Sequence, residues 1–529
     1  MQDNFEFTSK AQRSVLIAGI VGIVLILLGA LTWSAPEAEE HHGEGEHHAV
    51  VVEDATLAHT VAYQEGHGDD HGADSTHAEG DDHGTDAAHA EGDDHAMDSA
   101  HAEGEEHHEE GHAEGEEHHG GDHAEGHHEE GHGDAHTEGS DHAAGGDHGG
   151  GEGHGEAVTW LKRFAIDLWI NHIYFFGIAI IGVFFFALQY AAQAGWSSQI
   201  KRVNLAFGNW LPIAFVLGLV LFFLFGHDIF HWTHSDLYEA GDHYDPIIDG
   251  KAGFFFWPLE NGGPIPGFFL IRYVLFFGAW ILLMRKFYSL SATEDQLGGD
   301  DIFWKLRRYS AVFLVIFAVS SSTSAWDWVL SIDTHWFSTM FGWYVFASWF
   351  VTGLAATTFL VISLKQAGYL PKVTSDHLHD LGKFMFAFSI FWTYIWFSQF
   401  LLIYYANIPE ETIYFVERIR SDHFAPYFFI NLIMNFFLPF LVLMTRDAKR
   451  HMTFLKIVAV LIMAGHWLDF FLMMTPGTLS DAGNIGFTEM GTALLFGSAF
   501  LFVALRSLRK LPLVPKNDPM LVESEHHHI

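Results

Sequence analysis

Ionisable side chains are costly in hydrocarbon, so those that a chain keeps within or beside long apolar runs are the first candidates for chemistry. Asp167 and His172 begin one such run, and "FGHDIFHWTH" ends another with His227, Asp228, His231 and His234. Arg272 begins a third. Asp327 closes a fourth in "TSAWDWVLSIDTHWF", with Asp333 and His335 just beyond it. Gln399, Tyr404 and Tyr405 finish a later run, and His466 and Asp469 finish another in "AGHWLDFF". Carboxylates and imidazoles accept and release protons, and a guanidinium holds a carboxylate ionised or steadies an anion, so the inventory is one for proton handling. His231, His234, Asp333 and His335, at the predicted run ends, read equally well as interfacial residues pairing in the headgroup layer. His227 and His231 have the i, i+4 spacing of a metal-binding pair, which is a weak signal without a converging carboxylate.

These residues must be positioned by helices that cross a membrane. A hydrocarbon core of about 30 Å takes about 20 apolar residues to span, and ten such runs are present, at 14–33, 164–192, 205–226, 266–284, 309–330, 340–364, 384–405, 424–444, 454–474 and 488–505. The first is too long for the core of a signal peptide and Thr32-Trp33-Ser34 offers no small-x-small cleavage site, so it reads as a retained anchor. Lys and Arg accumulate on the cytoplasmic side of membrane proteins. With both termini cytoplasmic and the ten runs alternating, 20 of the 26 Lys and Arg fall inside, the exceptions being Lys162, Arg163, Lys251, Arg272, Arg418 and Arg420. In that frame every candidate above lies in the outer half. Only the hydroxyls of Ser320, Ser321, Ser322 and Thr323 mark mid-depth, and the inner half is expected to be nearly bare of ionisable groups. Asp327 and Asp469 each follow a Trp near the outer end of the fifth and ninth helices, consistent with a parallel repeat of four-helix units, helices two to five and six to nine.

Composition sharpens the division. Residues 35–156 hold 37 of the 66 Asp and Glu and 25 of the 39 His with no Lys or Arg, so the rest of the chain carries a net charge of −3 against −40 for the whole. This insert, built of repeats such as "HAEGDDH" and "HAEGHHEEGH", has too little apolar surface to offset ordering entropy and is expected to be a disordered periplasmic segment, either an acidic spacer or a buffer for Zn²⁺, Ni²⁺ or Cu²⁺. No segment is basic enough to track nucleic-acid phosphates. The absence of Cys excludes disulfides, thiolate zinc, iron–sulfur ligation and covalent c-type haem in this chain, and no pair of mid-depth histidines suggests haem b. The organisation expected is an all-α polytopic membrane protein: an anchor at 1–34, the insert at 35–156, a nine-helix membrane domain at 157–510 and a cytoplasmic tail at 511–529.

The segments "SAWDWVLSIDTHWFSTMFGWY" and "FMFAFSIFWTYIWFSQFLLIYYANIPEET" and the tail "LPLVPKNDPMLVES" resemble the NrfD/polysulfide-reductase-like integral membrane subunits of bacterial alternative complex III, a quinol:cytochrome c oxidoreductase, and among them most the F-type subunit. The resemblance runs from about residue 164 to the C-terminus and leaves out the insert. It implies two four-helix bundles with flanking helices, the bacterial inner membrane, and partners comprising other membrane subunits, iron–sulfur subunits and multihaem cytochrome c subunits that carry the electrons. No cofactor is expected on this chain, although menaquinol or another quinol would meet the complex near its outer face. In that setting His227, Asp228 and Asp327 are the expected proton acceptors or proton route, and Arg272, His466, Asp469, Gln399 and Tyr405 the expected quinol or charge-stabilising contacts. The alternatives are a purely structural subunit, or a divalent-metal transporter whose substrate carboxylates and imidazoles would lie at the midplane.

Overall fold

The computed structural model describes residues 5–34 and 158–529, without the side chain of Glu410; the expected insert at 35–156 lies outside the described residues. What is described is an all-α polytopic membrane protein, with no strand among the described residues. Nine of its helices are long and apolar enough to cross a membrane: α1 Ser9–Thr32, α2 Trp160–Ala191, α3 Lys201–Ile229, α5 Gly267–Leu297, α7 Phe341–Gln366, α8 Ser375–Ala406, α10 Ala425–Leu443, α12 Met452–Met474 with the short turns that follow it, and α13 Phe487–Ser507. Between them stand α4 Pro246–Phe256, α6 Asp300–Trp328, α9 Pro409–Ile419 and α11 Arg446–Arg450, and α14 Leu521–Glu525 follows. α6 covers the fifth predicted run as far as Trp328 and is as long as its neighbours, with Ser320–Ser324 in its second half.

Helix ends follow local chemistry. Thr159 accepts a hydrogen bond from the Lys162 N–H and starts α2, while Asp245 accepts from the N–H groups of Ile247 and Ile248 and starts α4 with Pro246 in its first turn. α5 and α6 both run well past their predicted inner ends and meet at Gly298-Gly299, whose φ angles of +63° and +89° only glycine adopts without strain.

α2 is the axis of the molecule, packing against α3, α6, α7 and α13. Helices in lipid gain little from burying apolar surface against each other, so close backbone approach supplies much of the attraction. At Gly177 on α2 an added Cβ would stand 1.9 Å from the Trp349 ring of α7. α1 uses the same device against α13. Its buried residues Val15, Gly19, Gly22, Ile26 and Gly29 alternate by four and three, a seam of the coiled-coil kind, and a Cβ on Gly22 would lie 2.8 Å from the Gly491 carbonyl oxygen. At the end of α1 the Arg163 guanidinium of α2 lies 5.1 Å from the Trp33 ring centroid.

At the opposite end the C-terminal segment straps the helices together. Its Pro512 carbonyl accepts from Arg202, Asp518 pairs with Lys201, Ser524 meets His377 and the Trp196 carbonyl, and Glu525 pairs with Lys372.

Candidate functional site

Two of the buried carboxylates, Asp327 and Asp469, anchor centres of different character. Asp327 is fully buried near the end of α6. Arg272 of α5 grips it as a fork, Nε donating to Oδ2 at 2.8 Å and Nη2 to Oδ1, while Nη2 also reaches the Phe254 carbonyl of α4 at 2.7 Å. The guanidinium lies 4.1 and 4.3 Å from the ring centroids of Phe254 and Phe268. A bidentate pair closed over by aromatic rings holds its geometry strongly and offers little room for a ligand.

Asp469, also fully buried, near the end of α12, has no guanidinium against it, only the His466 imidazole with Nδ1 3.7 Å from Oδ2. Its carboxylate accepts instead from neutral donors on three helices: the Tyr344 hydroxyl and Ser348 Oγ (3.0 Å) of α7, Trp392 Nε1 (2.9 Å) of α8 and Asn431 Nδ2 (3.0 Å) of α10. Asn431 in turn accepts from Asn435 at 2.6 Å, across a π-helical turn at Ile433–Phe437 of the kind that often marks functional sites. Ser348 Oγ is also 2.9 Å from His466 Nδ1. A serine has one proton to give. When Asp469 is ionised, Ser348 donates to it and must accept from His466 Nδ1–H; when Asp469 is protonated, Ser348 is free to turn and donate to the imidazole. The three groups therefore form a reversible proton relay. His466 Nε2, buried, has no partner among the described residues and leaves the relay an open acceptor.

A cavity of about 10 Å³ adjoins Asp469, Tyr344 and Asn431 and is roofed by Tyr414 and Arg418 of α9. It has room for about one water and none for a quinone ring. Arg418 is fixed there by Asp333 (2.6 Å) and by the Leu472 and Met473 carbonyls (2.8 and 3.1 Å) at the end of α12.

The expected site residues divide accordingly. Arg272 meets Asp327, and His466 meets Asp469 through Ser348. Gln399 is buried but bonds to Ser338 at 2.9 Å and does not bond to either carboxylate. Tyr405, 90% exposed, faces away from both centres, because α8 ends in a run of outward-facing residues. His227 is exposed and reaches Thr233 at 3.1 Å, and Asp228 has no hydrogen bond or ion pair among the described residues, so the trio of His227, Asp228 and Asp327 is not assembled. His227 belongs instead to a surface group with His231, His234 and His335, neighbouring rings lying 5.3 to 6.5 Å apart. His335 pairs with Asp245 at 2.5 Å. Asp245 is partly buried, which raises its pKa, but the N–H groups of Ile248 and Ile247 and the His335 imidazole outweigh this and hold it below the usual carboxylate range. Among the described residues no group of three or more His, Asp or Glu is placed to hold a metal ion.

Charge is also buried where little was expected. At the end strapped by the C-terminal segment Glu294 is fully buried and accepts from the Tyr190 hydroxyl at 3.2 Å, beside the buried Lys201–Asp518 pair, while Arg202 holds Asp295 with two contacts of 2.8 Å. α5 carries Glu294 there because it continues to Leu297 rather than stopping near residue 284. Near the start of α2, Arg163 pairs with Glu489 of α13, next to the buried Asp167. Tyr344, Ser348, Trp392 and Asn431 are the partners of Asp469 that a reading of charges alone passes over; the i, i+4 amides of "NLIMN" inside an apolar run are the readable sign.

No family model matches the chain, and no curated protein is detectably similar to it.

Proposed function

We propose that the chain is a membrane subunit of a respiratory quinol:electron-acceptor oxidoreductase of the alternative complex III type, and that it moves protons rather than holding the quinol. The observation that carries this reading is the buried relay His466–Ser348–Asp469, beside a cavity of one-water size: a proton taken up at His466 Nε2 lets Nδ1 pass its proton to Ser348 while Ser348 passes its own to Asp469. The resemblance of the "SAWDW…" and "YANIPEET" segments supplies the context: electrons pass through iron–sulfur and multihaem cytochrome c subunits, menaquinol or another quinol reacts at a partner, and this chain contributes scaffold and proton route in the bacterial inner membrane.

The packing supports a duplicated arrangement of ten crossings, with α6 as the tenth; an even count puts both termini on one side, and the Lys and Arg distribution favours the cytoplasm. One bundle takes α2, α3, α5 and α6, the other α7, α8, α10 and α12. The first and fourth members pack together in each, as α2 with α6 and α7 with α12. An eleven-residue helix opened by proline, α4 or α9, stands between the second and third members of each. Each carboxylate bonds to the third member, Asp327 to Arg272 on α5 and Asp469 to Asn431 on α10. By the symmetry of that plan the closed Asp327–Arg272 pair is the structural counterpart of the mobile-proton centre at Asp469.

The test is the proton-to-electron ratio of the purified complex in sealed liposomes. Asp469→Asn and Ser348→Ala should lower the ratio while electron transfer to the acceptor continues. An unchanged ratio in both variants overturns the proton role, and purification of the chain free of haem and iron–sulfur subunits overturns the complex.

A further inference from the structure

A second site lies at the end of the molecule where most Lys and Arg gather, on the perimeter formed by α3, α5 and α13. A groove of about 510 Å³ opens there between these helices. Its wall is apolar, including Ile213, Phe502 and Val503, and Ile213 is 41% exposed on a helix long and apolar enough to cross a membrane. Three cations line it: Arg285 from α5, and Arg506 and Lys510 from the end of α13 and just beyond it.

None of the three has an acidic partner among the described residues, whereas Arg163, Lys201, Arg202, Arg272, Arg418 and Arg450 all do. Partial burial and the neighbouring Arg506 charge both press the Lys510 pKa downward, so the two cations stand close enough to repel each other. Lys510 is held in place by Asn209 Oδ1 at 2.5 Å, and Asn209 is itself bonded to the Tyr288 hydroxyl. Cations fixed near each other without an intervening carboxylate are an incomplete electrostatic unit that an anion completes. An anion whose other part fills an apolar groove along membrane-spanning helices is an amphiphile. Basic pockets between helices at a membrane surface recognise lipid phosphates in this way.

We infer that the groove bounded by Arg285, Arg506 and Lys510 binds an anionic phospholipid, its phosphate among the three cations and an acyl chain along Ile213 and Phe502. The occupant is a lipid rather than free phosphate because the apolar wall has no use for a small ion.

Native mass spectrometry of the full chain, purified with whatever subunits accompany it, tests this with added dioleoylphosphatidylglycerol or dioleoylphosphatidylcholine. The wild type should retain the anionic lipid about tenfold better than the zwitterionic one, as three basic contacts allow. R285Q/R506Q/K510Q should abolish that preference. K305Q/R307Q/R308Q removes equal charge from α6 at the same end and should leave it intact. Equal loss in both triple variants would reduce the effect to general surface charge and overturn the site. Displacement of the lipid by millimolar inorganic phosphate would make it a small-anion site and overturn the lipid assignment. A wild type with no lipid preference, because a subunit covers the groove or for any other cause, overturns it as well.

Discussion

Removing Arg272 should expose how much of the molecule rests on one buried charge pair. Arg272→Met strips Asp327 of a bidentate partner, with Nε–Oδ2 at 2.8 Å, in a place with no solvent exposure. Two unit charges about 4 Å apart attract by about 4 kcal/mol at an effective dielectric of 20, and breaking one side of a buried pair generally costs about 3–5 kcal/mol. At roughly 2 °C per kcal/mol for a large body, the apparent thermal midpoint in mild detergent should fall by about 6–10 °C. Asp327→Leu alone leaves Arg272 uncompensated and should cost a similar amount. The double variant Arg272→Met/Asp327→Leu removes both charges and should return to within about 1–2 kcal/mol of wild type, since buried pairs replaced by apolar residues are often neutral. Proton-to-electron ratios in the same proteins separate the roles: a structural pair gives a stable double variant with a normal ratio. A double variant as unstable as either single, or a single arginine variant of wild-type stability, would refute the reasoning.

At the other centre Asp469→Leu leaves Tyr344, Ser348, Trp392 and Asn431 without their acceptor and should lower stability by several kcal/mol, about 1–3 per abandoned donor before relaxation, measurable as the same thermal shift; Asp469→Asn keeps one carbonyl and should cost less. Gly22→Leu drives a side chain into the Gly491 carbonyl and should release α1 from α13, read as loss of a disulfide introduced between the two helices or as faster proteolysis of α1. Asp245→Ala removes the cap of α4 and should cost about 1 kcal/mol at neutral pH. Because the folded carboxyl lies below its ordinary range, that contribution is present above the unfolded value and lost as pH falls through the folded one, so the difference between variant and wild type should close on acidification below the usual carboxylate range; a gap that persists there would sink the assignment.

Hydropathy made the membrane helices legible because crossing hydrocarbon is a demand on composition, and composition is local. The carboxylates Asp327 and Asp469 stood out for the same reason. What surrounds them did not, because a donor such as Tyr344 or Trp392 is ordinary in an apolar run and becomes notable only when folding turns it toward Asp469. The short helices α4 and α9 were hidden by their length, eleven residues each and too short for any spanning test, although Asp245-Pro246 and Pro409 are readable starts. The charges beneath the C-terminal strap were missed for a different reason. Glu294 looks like a surface residue until α5 is known to continue to Leu297 and the tail to bring Asp518 against Lys201, and partners more than two hundred residues apart leave no local trace.

The meeting of Trp33 with Arg163 has a bearing on the long acidic stretch between them. The chain leaves the membrane body and rejoins it at almost one point, pinned by Gly29 against Thr488 on one side and Arg163 with Glu489 on the other. A loop closed at its base costs entropy that grows only with the logarithm of its length, about 0.6 kcal/mol for each doubling. The membrane body is thus nearly blind to how many residues are threaded through that gate. Lengthening, halving or replacing residues 35–156 should therefore leave the helices and both carboxylate centres in place, with the thermal midpoint in mild detergent close to that of the wild type.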